Sequence, residues 1–186
     1  MFVTKEYNRD KALAYAKRWA LDRNPLFFSF NGIGGDCTNF VSQCIFAGGC
    51  VMNYTPTYGW YYISSNDRTP SWSGVQFFYD FMVNNKEQGP FATEVTADRI
   101  EKGDVIQLGN EEGLFYHTVI VIDKQDNEIY IAAHSDDYYN RKLSSYDYAY
   151  IRYLHIEGIR FEIQGKDTCF ETLISGGVEP FEEDEQ

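Results

Sequence analysis

The run Gly34-Gly35-Asp36-Cys37-Thr38-Asn39-Phe40-Val41-Ser42-Gln43 places a cysteine where a glycine loop enters an apolar segment. If that segment is a helix, Cys37 stands at its N-terminus. Free N–H groups and partial positive charge there favour a thiolate, so a thiol more acidic than usual is expected. The same N–H groups can receive a developing oxyanion. Asp36 is expected to cap the helix through its side chain. Asn31, six residues before Cys37, is a candidate side-chain donor to the oxyanion.

A nucleophilic thiol needs a base, and the chain has only three histidines: His117, His134 and His155. His117 opens the extended run Tyr116-His117-Thr118-Val119-Ile120-Val121-Ile122, and His134 closes the next one, Ile129 to Ala133. If the two runs form a hairpin with the four-residue loop 124–127, His117 lies opposite His134. With a two-residue turn at Asp126-Asn127, it lies opposite Asp136. Either register supplies a thiol, a base and an orienting group. His155 has no partner of this kind in the pattern and reads as structural. Tyr116, Trp60 and Asp36 are candidates for the wall of a substrate cleft. Trp60 sits in a ring-rich stretch with Tyr54, Tyr58, Tyr61, Tyr62 and Trp72, which could equally cover the helices.

These residues need elements to hold them. Ala12, Ala16, Trp19 and Ala20 recur at helical spacing, which predicts a helix over residues 9–23 capped by Asn8 and closed before Pro25. A second helix, apolar almost all round and therefore buried, is predicted over 37–47 with Gly48-Gly49 as its stop. A third is predicted over 73–84. Strands rich in Val, Ile and Tyr are predicted over 104–108, 116–122, 128–133 and 148–156. Lys102-Gly103-Asp104 reads as a turn into the first of them. Helices followed by strands make the fold class α+β, an antiparallel sheet packed on N-terminal helices. The predicted division is one domain over residues 1–160 and an extension over 161–186, whose end (179–186) carries five acids and no base.

Composition narrows the classes further. Lys and Arg number 16 against 28 Asp and Glu, a formal charge of −12, which argues against nucleic acid or anionic lipid as partner. No apolar run is long enough to span a membrane. The four cysteines, Cys37, Cys44, Cys50 and Cys169, contain no CxxC pair, so no metal site is expected. Free thiols are the simpler expectation for a domain of 186 residues. The first residues lack the pattern of a signal peptide. The expected location is therefore cytoplasmic, or secreted and wall-associated if an export segment has been removed.

The run Asp36-Cys37-Thr38-Asn39-Phe40-Val41-Ser42-Gln43 with Gly48-Gly49 resembles the bacterial "putative amidase domain" family. Tyr7-Asn8-Arg9, residues 19–25, Gly103-Asp104, the strand opened by His117, and His134-Ser135-Asp136 fit the same pattern. The resemblance covers roughly residues 7–156. It implies a papain-like fold, kinship with NlpC-type and CHAP-type cell-wall amidases, and amide hydrolysis through a thioester without any cofactor. By that resemblance Cys37 is the nucleophile and His117 the general base and acid. His134 is the third residue, with Asp136 as its alternative. The implied partner is a peptide or small amide, peptidoglycan fragments included. An acyltransferase on the same residues and a non-catalytic binding module are the competing readings.

Overall fold

The computed structural model describes residues 1–162 and 169–177. Asn8 caps helix α1 (Arg9–Trp19) as expected, its side chain accepting from the Lys11 amide. The helix buries Ala12, Tyr15, Ala16 and Trp19, and it ends short of the predicted residue 23. Helix α2 (Cys37–Gly49) follows the glycine loop and is buried along almost its whole length. Gly48 and Gly49 do not stop it. They lie inside the helix, and close packing explains why they are glycine: a Cβ on Gly48 would strike the Tyr7 ring and one on Gly49 would strike Ile159. The stop is Cys50, which takes the left-handed conformation with φ 52°.

The ring-rich stretch contains a short hairpin, β2 (Tyr62–Ser64) with β3 (Asp67–Arg68). The predicted third helix is divided at the extended Gly74 into α3 (Pro70–Ser73) and α4 (Val75–Asn84). No helix is long and apolar enough to cross a membrane among the described residues.

The sheet is antiparallel, with strands β1 (Val3–Lys5), β4 (Gly89–Val95), β5 (Val105–Gly109), β6 (Phe115–Gln125), β7 (Glu128–Ala133), β8 (Tyr138–Lys142) and β9 (Tyr150–Phe161). The order along it is β1-β9-β5-β6-β7-β8, and β4 also pairs with β9. The class is thus α+β, as the element order implied. β1, β4 and β8 were not predicted. β1 is short, β8 is polar and exposed, and β4 opens on Gly89-Pro90, which reads as a turn, so none shows a clear apolar alternation.

The two faces of the sheet bury different layers. Ile120, Ala132, Val105 and Leu154 face the helices and join Phe40, Ile45, Trp60 and Trp72. Ile106, Leu108, Val119, Val121, Ile131 and Ala133 face the other way, under Ile100 and Leu143. Helix α5 (Cys169–Ser175), in the segment expected as an extension, packs into the helix-side core through Leu173. Cys50 and Cys169 form a disulfide, their Cα atoms 5.9 Å apart, while Cys37 and Cys44 are free. The expectation of four free thiols is therefore corrected. Cys50 at the end of α2 and Cys169 at the start of α5 are distant in sequence, and only packing of α5 on α2 brings them together. The acidic end, 179–186, lies outside the described residues.

Candidate active site

Cys37 is the first residue of α2 and is 7% exposed. Its sulfur lies 3.8 Å from the Thr38 hydroxyl, which in turn bonds the Thr118 hydroxyl at 2.9 Å. That bond ties the start of α2 to β6 one residue after His117. Burial pushes the Cys37 thiol up. The Thr118 amide, the Thr38 hydroxyl and the amides of Thr38 and Cys37 itself pull the other way without prevailing. The expected acidic thiol is thus corrected: in the folded chain desolvation outweighs the helix terminus. Cys44, nearly two turns further on, is fully buried and its thiol is pushed up by that burial.

His117 lies near the start of β6, opposite Leu108 of β5, beside a bulge between Leu108 and Gly109. It is 8% exposed. Burial first, then the charge of Arg141, pull its pKa down to about 4, with Asp136 opposing. Its ring is 5.6 Å from that of Tyr146 and 6.4 Å from that of Tyr116, centroid to centroid. Among the described residues no hydrogen bond joins His117 to Cys37 or to His134.

The separation of the two histidines has a local cause. The turn is the two-residue one, Asp126-Asn127, because Gln125 pairs with Glu128. A bulge between Val121 and Asp123 then shifts the register by one, so that Ile120 pairs with Ala132. A one-residue shift sends every later side chain to the opposite face. His117 has the parity of Val119, on the face away from the helices, and His134 that of Ala132, on the helix face.

His134 is accordingly engaged elsewhere. Its Nδ1 is 2.7 Å from Asp36 Oδ2, its Nε2 is 2.9 Å from the Trp19 carbonyl, and its ring stacks on Phe40 at 4.1 Å. Asp36 is wholly buried. It makes no side-chain cap to α2, contrary to expectation. Its carboxylate accepts instead from the Phe30 amide and from Asn39 Nδ2, both at 2.8 Å. Burial alone would raise the Asp36 carboxyl, but the donors His134, Asn39 and Phe30 together hold it below the usual range. Arg23 closes the cluster, with Nε 3.4 Å from Asp36 Oδ2 and two bonds of 2.8 and 2.9 Å to Asp137.

The segment after His134 turns back through Ser135 and Asp136, both left-handed, at φ 61° and 78°. The Ser135 hydroxyl accepts the Asp36 amide at 2.6 Å, and the charge of Asp136 reaches His117.

The remaining candidates are scattered. Asn31 is exposed in the glycine loop, and its amide donates to Ser29. Trp60 is fully buried, its Nε1 on Ser42 and its ring against Trp72 at 4.7 Å. It is a core residue and not a cleft wall. Tyr116 is 45% exposed beside His117, with its hydroxyl on the Asp147 carbonyl. Asp36 lies beneath the site and is closed to solvent. His155, expected to be structural, bonds the buried Asp104 at 2.8 Å, and Arg9 joins the same carboxylate at 2.7 Å. That cluster ties α1 to β5 and β9. The polar residues of the cysteine motif mostly serve packing: Asn39 accepts from Trp72 Nε1, Ser42 donates to the Trp72 carbonyl, and Gln43 accepts from Tyr15. Arg23, Arg141, Ser135 and Tyr146 were missed as neighbours of the site. Their place depends on the β7–β8 turn and strand β8, which have no apolar pattern. Among the described residues no cluster suited to a metal ion occurs.

The family described as "Putative amidase domain" matches residues 6–156, and the chain belongs to it. Over 122 residues it is 34% identical to a protein of Bacillus subtilis (strain 168) described as uncharacterized protein YhbB. The match takes in 64% of this chain and 38% of that protein, so the chain spans well under half of its relative's length. No solved structure matches.

Proposed function

We propose that the chain is a cysteine-dependent hydrolase of amide or peptide bonds, on a papain-like fold akin to the NlpC-type and CHAP-type amidases. The observation that carries this reading is the place of Cys37. It is the first residue of a buried helix, its sulfur faces backbone N–H groups, and one of these belongs to Thr118, the residue after a histidine that burial keeps neutral at pH 7. A neutral imidazole can accept a proton, which a charged one cannot. The family's own description supports a hydrolase.

In the reaction, His117 takes the thiol proton as Cys37 Sγ bonds the substrate carbonyl carbon. The amide of Cys37 receives the oxyanion. As the tetrahedral intermediate collapses, the C–N bond breaks and His117 returns the proton to the leaving amine. His117 then draws a proton from water as the water oxygen attacks the thioester; the C–S bond breaks, the acid leaves, and His117 returns the proton to the Cys37 sulfur. Tyr116 borders the substrate's approach. Of the two groups suited to the third position, Asp136 acts on His117 by its charge, while His134 braces the start of α2 through Asp36. The substrate class is a peptide or small amide, peptidoglycan-derived peptides included. The Cys50–Cys169 bridge favours an oxidising compartment.

The test is Cys37→Ala against a panel of peptide amides. The expected result is loss of all turnover and of iodoacetamide labelling, with an unchanged far-UV spectrum. Turnover retained by the variant, or labelling of the wild type at Cys44, would sink the reading.

A further inference from the structure

Tyr146 follows the turn Leu143–Ser145 and lies on the same sheet face as His117, their ring centroids 5.6 Å apart. Its hydroxyl is the one buried side-chain oxygen or nitrogen with no hydrogen-bond partner among the described residues. Arg141 lowers the phenol by its charge and by side-chain proximity to that hydroxyl, but no bond of full hydrogen-bond geometry joins the two. Its guanidinium lies on the ring face, 3.6 Å from the centroid, and is itself held by the Ser145 hydroxyl and carbonyl. Burial pushes the Tyr146 phenol up, so at neutral pH it is a hydroxyl that can both donate and accept.

His117 shows the matching deficit. Neither ring nitrogen makes a hydrogen bond among the described residues. The groups around it are Tyr146, Tyr116, and the charges of Arg141 and Asp136. A general base needs one nitrogen free for the thiol and the other held as N–H by an acceptor. His134 cannot be that acceptor, because it faces the helix side and is bonded to Asp36.

Buried hydroxyls without partners are rare in folded proteins, and one beside an unbonded imidazole calls for an explanation. We propose that Tyr146 is a positioning residue for His117. Its oxygen accepts the N–H of the ring nitrogen turned away from Cys37. The other ring nitrogen is then left for the Cys37 thiol of the proposed reaction. Both bonds are open in the resting arrangement, as catalytic bonds often are before substrate binds. When His117 carries the proton taken from Cys37, the N–H donor is cationic and the bond to Tyr146 strengthens.

This inference rests on the Cys37–His117 reading. The experiment is Tyr146→Phe, which removes the oxygen and keeps the ring under Arg141. Three quantities are measured: the rate of Cys37 alkylation by iodoacetamide against pH, kcat and KM separately, and Tm. The expected result is tenfold slower alkylation near pH 7 and kcat lowered at least tenfold, with KM unchanged. Tm is expected to stay level or rise, because an unpaired buried hydroxyl has been removed. Unchanged alkylation and kcat would overturn the inference and make the hydroxyl idle. A lowered Tm alongside the losses would also overturn it, since the role would then be structural. A wild type that alkylates at Cys37 but hydrolyses nothing defeats the hydrolase reading alone, and the alkylation profile still decides for or against Tyr146. Failure of Cys37 to alkylate in the wild type overturns both.

Discussion

His134 and His117 stand at neighbouring ends of β7 and β6, yet their surroundings are opposites. Around His134 the polar atoms nearby are matched: Asp36, the Trp19 carbonyl, Asn39, the Phe30 amide, Ser135 and Arg23 meet one another within a few residues of Cys37. Around His117 they are not, and Tyr146 carries an unmet hydroxyl. A fully satisfied buried network is rigid and fixes one geometry, whereas unmet groups cost stability and remain available to a substrate or a moving proton. The first region thus holds the start of α2 in place, and the second keeps polar groups unbonded beside it. On the proposed reading, the more heavily bonded histidine is the scaffold, and the less bonded one is the base.

This contrast can be broken at three points. The largest effect is expected from Asp36→Ala. It strips a wholly buried carboxylate from His134, Asn39 and Phe30, and the expected loss is about 3–5 kcal/mol in urea unfolding. His117→Gln, by comparison, should move stability by about 1 kcal/mol while removing turnover. Equal destabilisation by the two variants would erase the distinction between scaffold and base.

The second effect is a pH dependence. The folded chain holds His117 at about 4 against an ordinary 6.5, so between those values the unfolded chain binds a proton that the folded chain refuses. Stability should therefore be flat above about pH 6.5 and fall by about 3 kcal/mol as the pH drops towards 4. His117→Gln should flatten that window in denaturant titrations. Asp36 contributes in a different range. Its lowered carboxyl stabilises the fold above the usual carboxylate pKa of 3.8, and that contribution is lost only as the pH falls further, through the folded value. A profile that remains steep between pH 6.5 and 4 in the His117 variant would assign the dependence to another group.

The smallest effect concerns the rim of the network. Asp137 holds Arg23 by two bonds but is about a third exposed, 31% at the side chain. Asp137→Asn should cost about 0.5–1 kcal/mol, with salt weakening the difference. A loss as large as that of Asp36→Ala would mean that the order of the site depends on its surface as much as on its buried carboxylate.

Local signals were readable wherever they arise within one turn or one strand. Asn8 as a cap, Cys37 at a helix start, the burial of α2, and the cores of β5, β6, β7 and β9 all follow from short-range pattern. Gly48-Gly49 misled, because glycine serves close packing as readily as termination, and Tyr7 and Ile159 are far away in the chain. The histidine pairing misled for a similar reason. Both candidate registers assumed an unbroken ladder, and one bulge between Val121 and Asp123 reversed the face of everything beyond it. Trp60 read as cleft or core with equal ease, since a ring count does not say which way the rings point.

The sequence by itself determined the chemistry available: one thiol at a helix entry, three histidines, an antiparallel α+β fold and a strongly acidic chain. These depend on residue type and on spacings of a few residues, which the backbone converts directly into helix starts and strand faces. Only the tertiary structure decided how those groups are divided. It gave His134 to Asp36 and left His117 beside an unpaired Tyr146. It bridged Cys50 to Cys169, and it raised rather than lowered the Cys37 thiol. Desolvation, register beyond a bulge and partners a hundred residues apart are products of packing, and no local pattern encodes them.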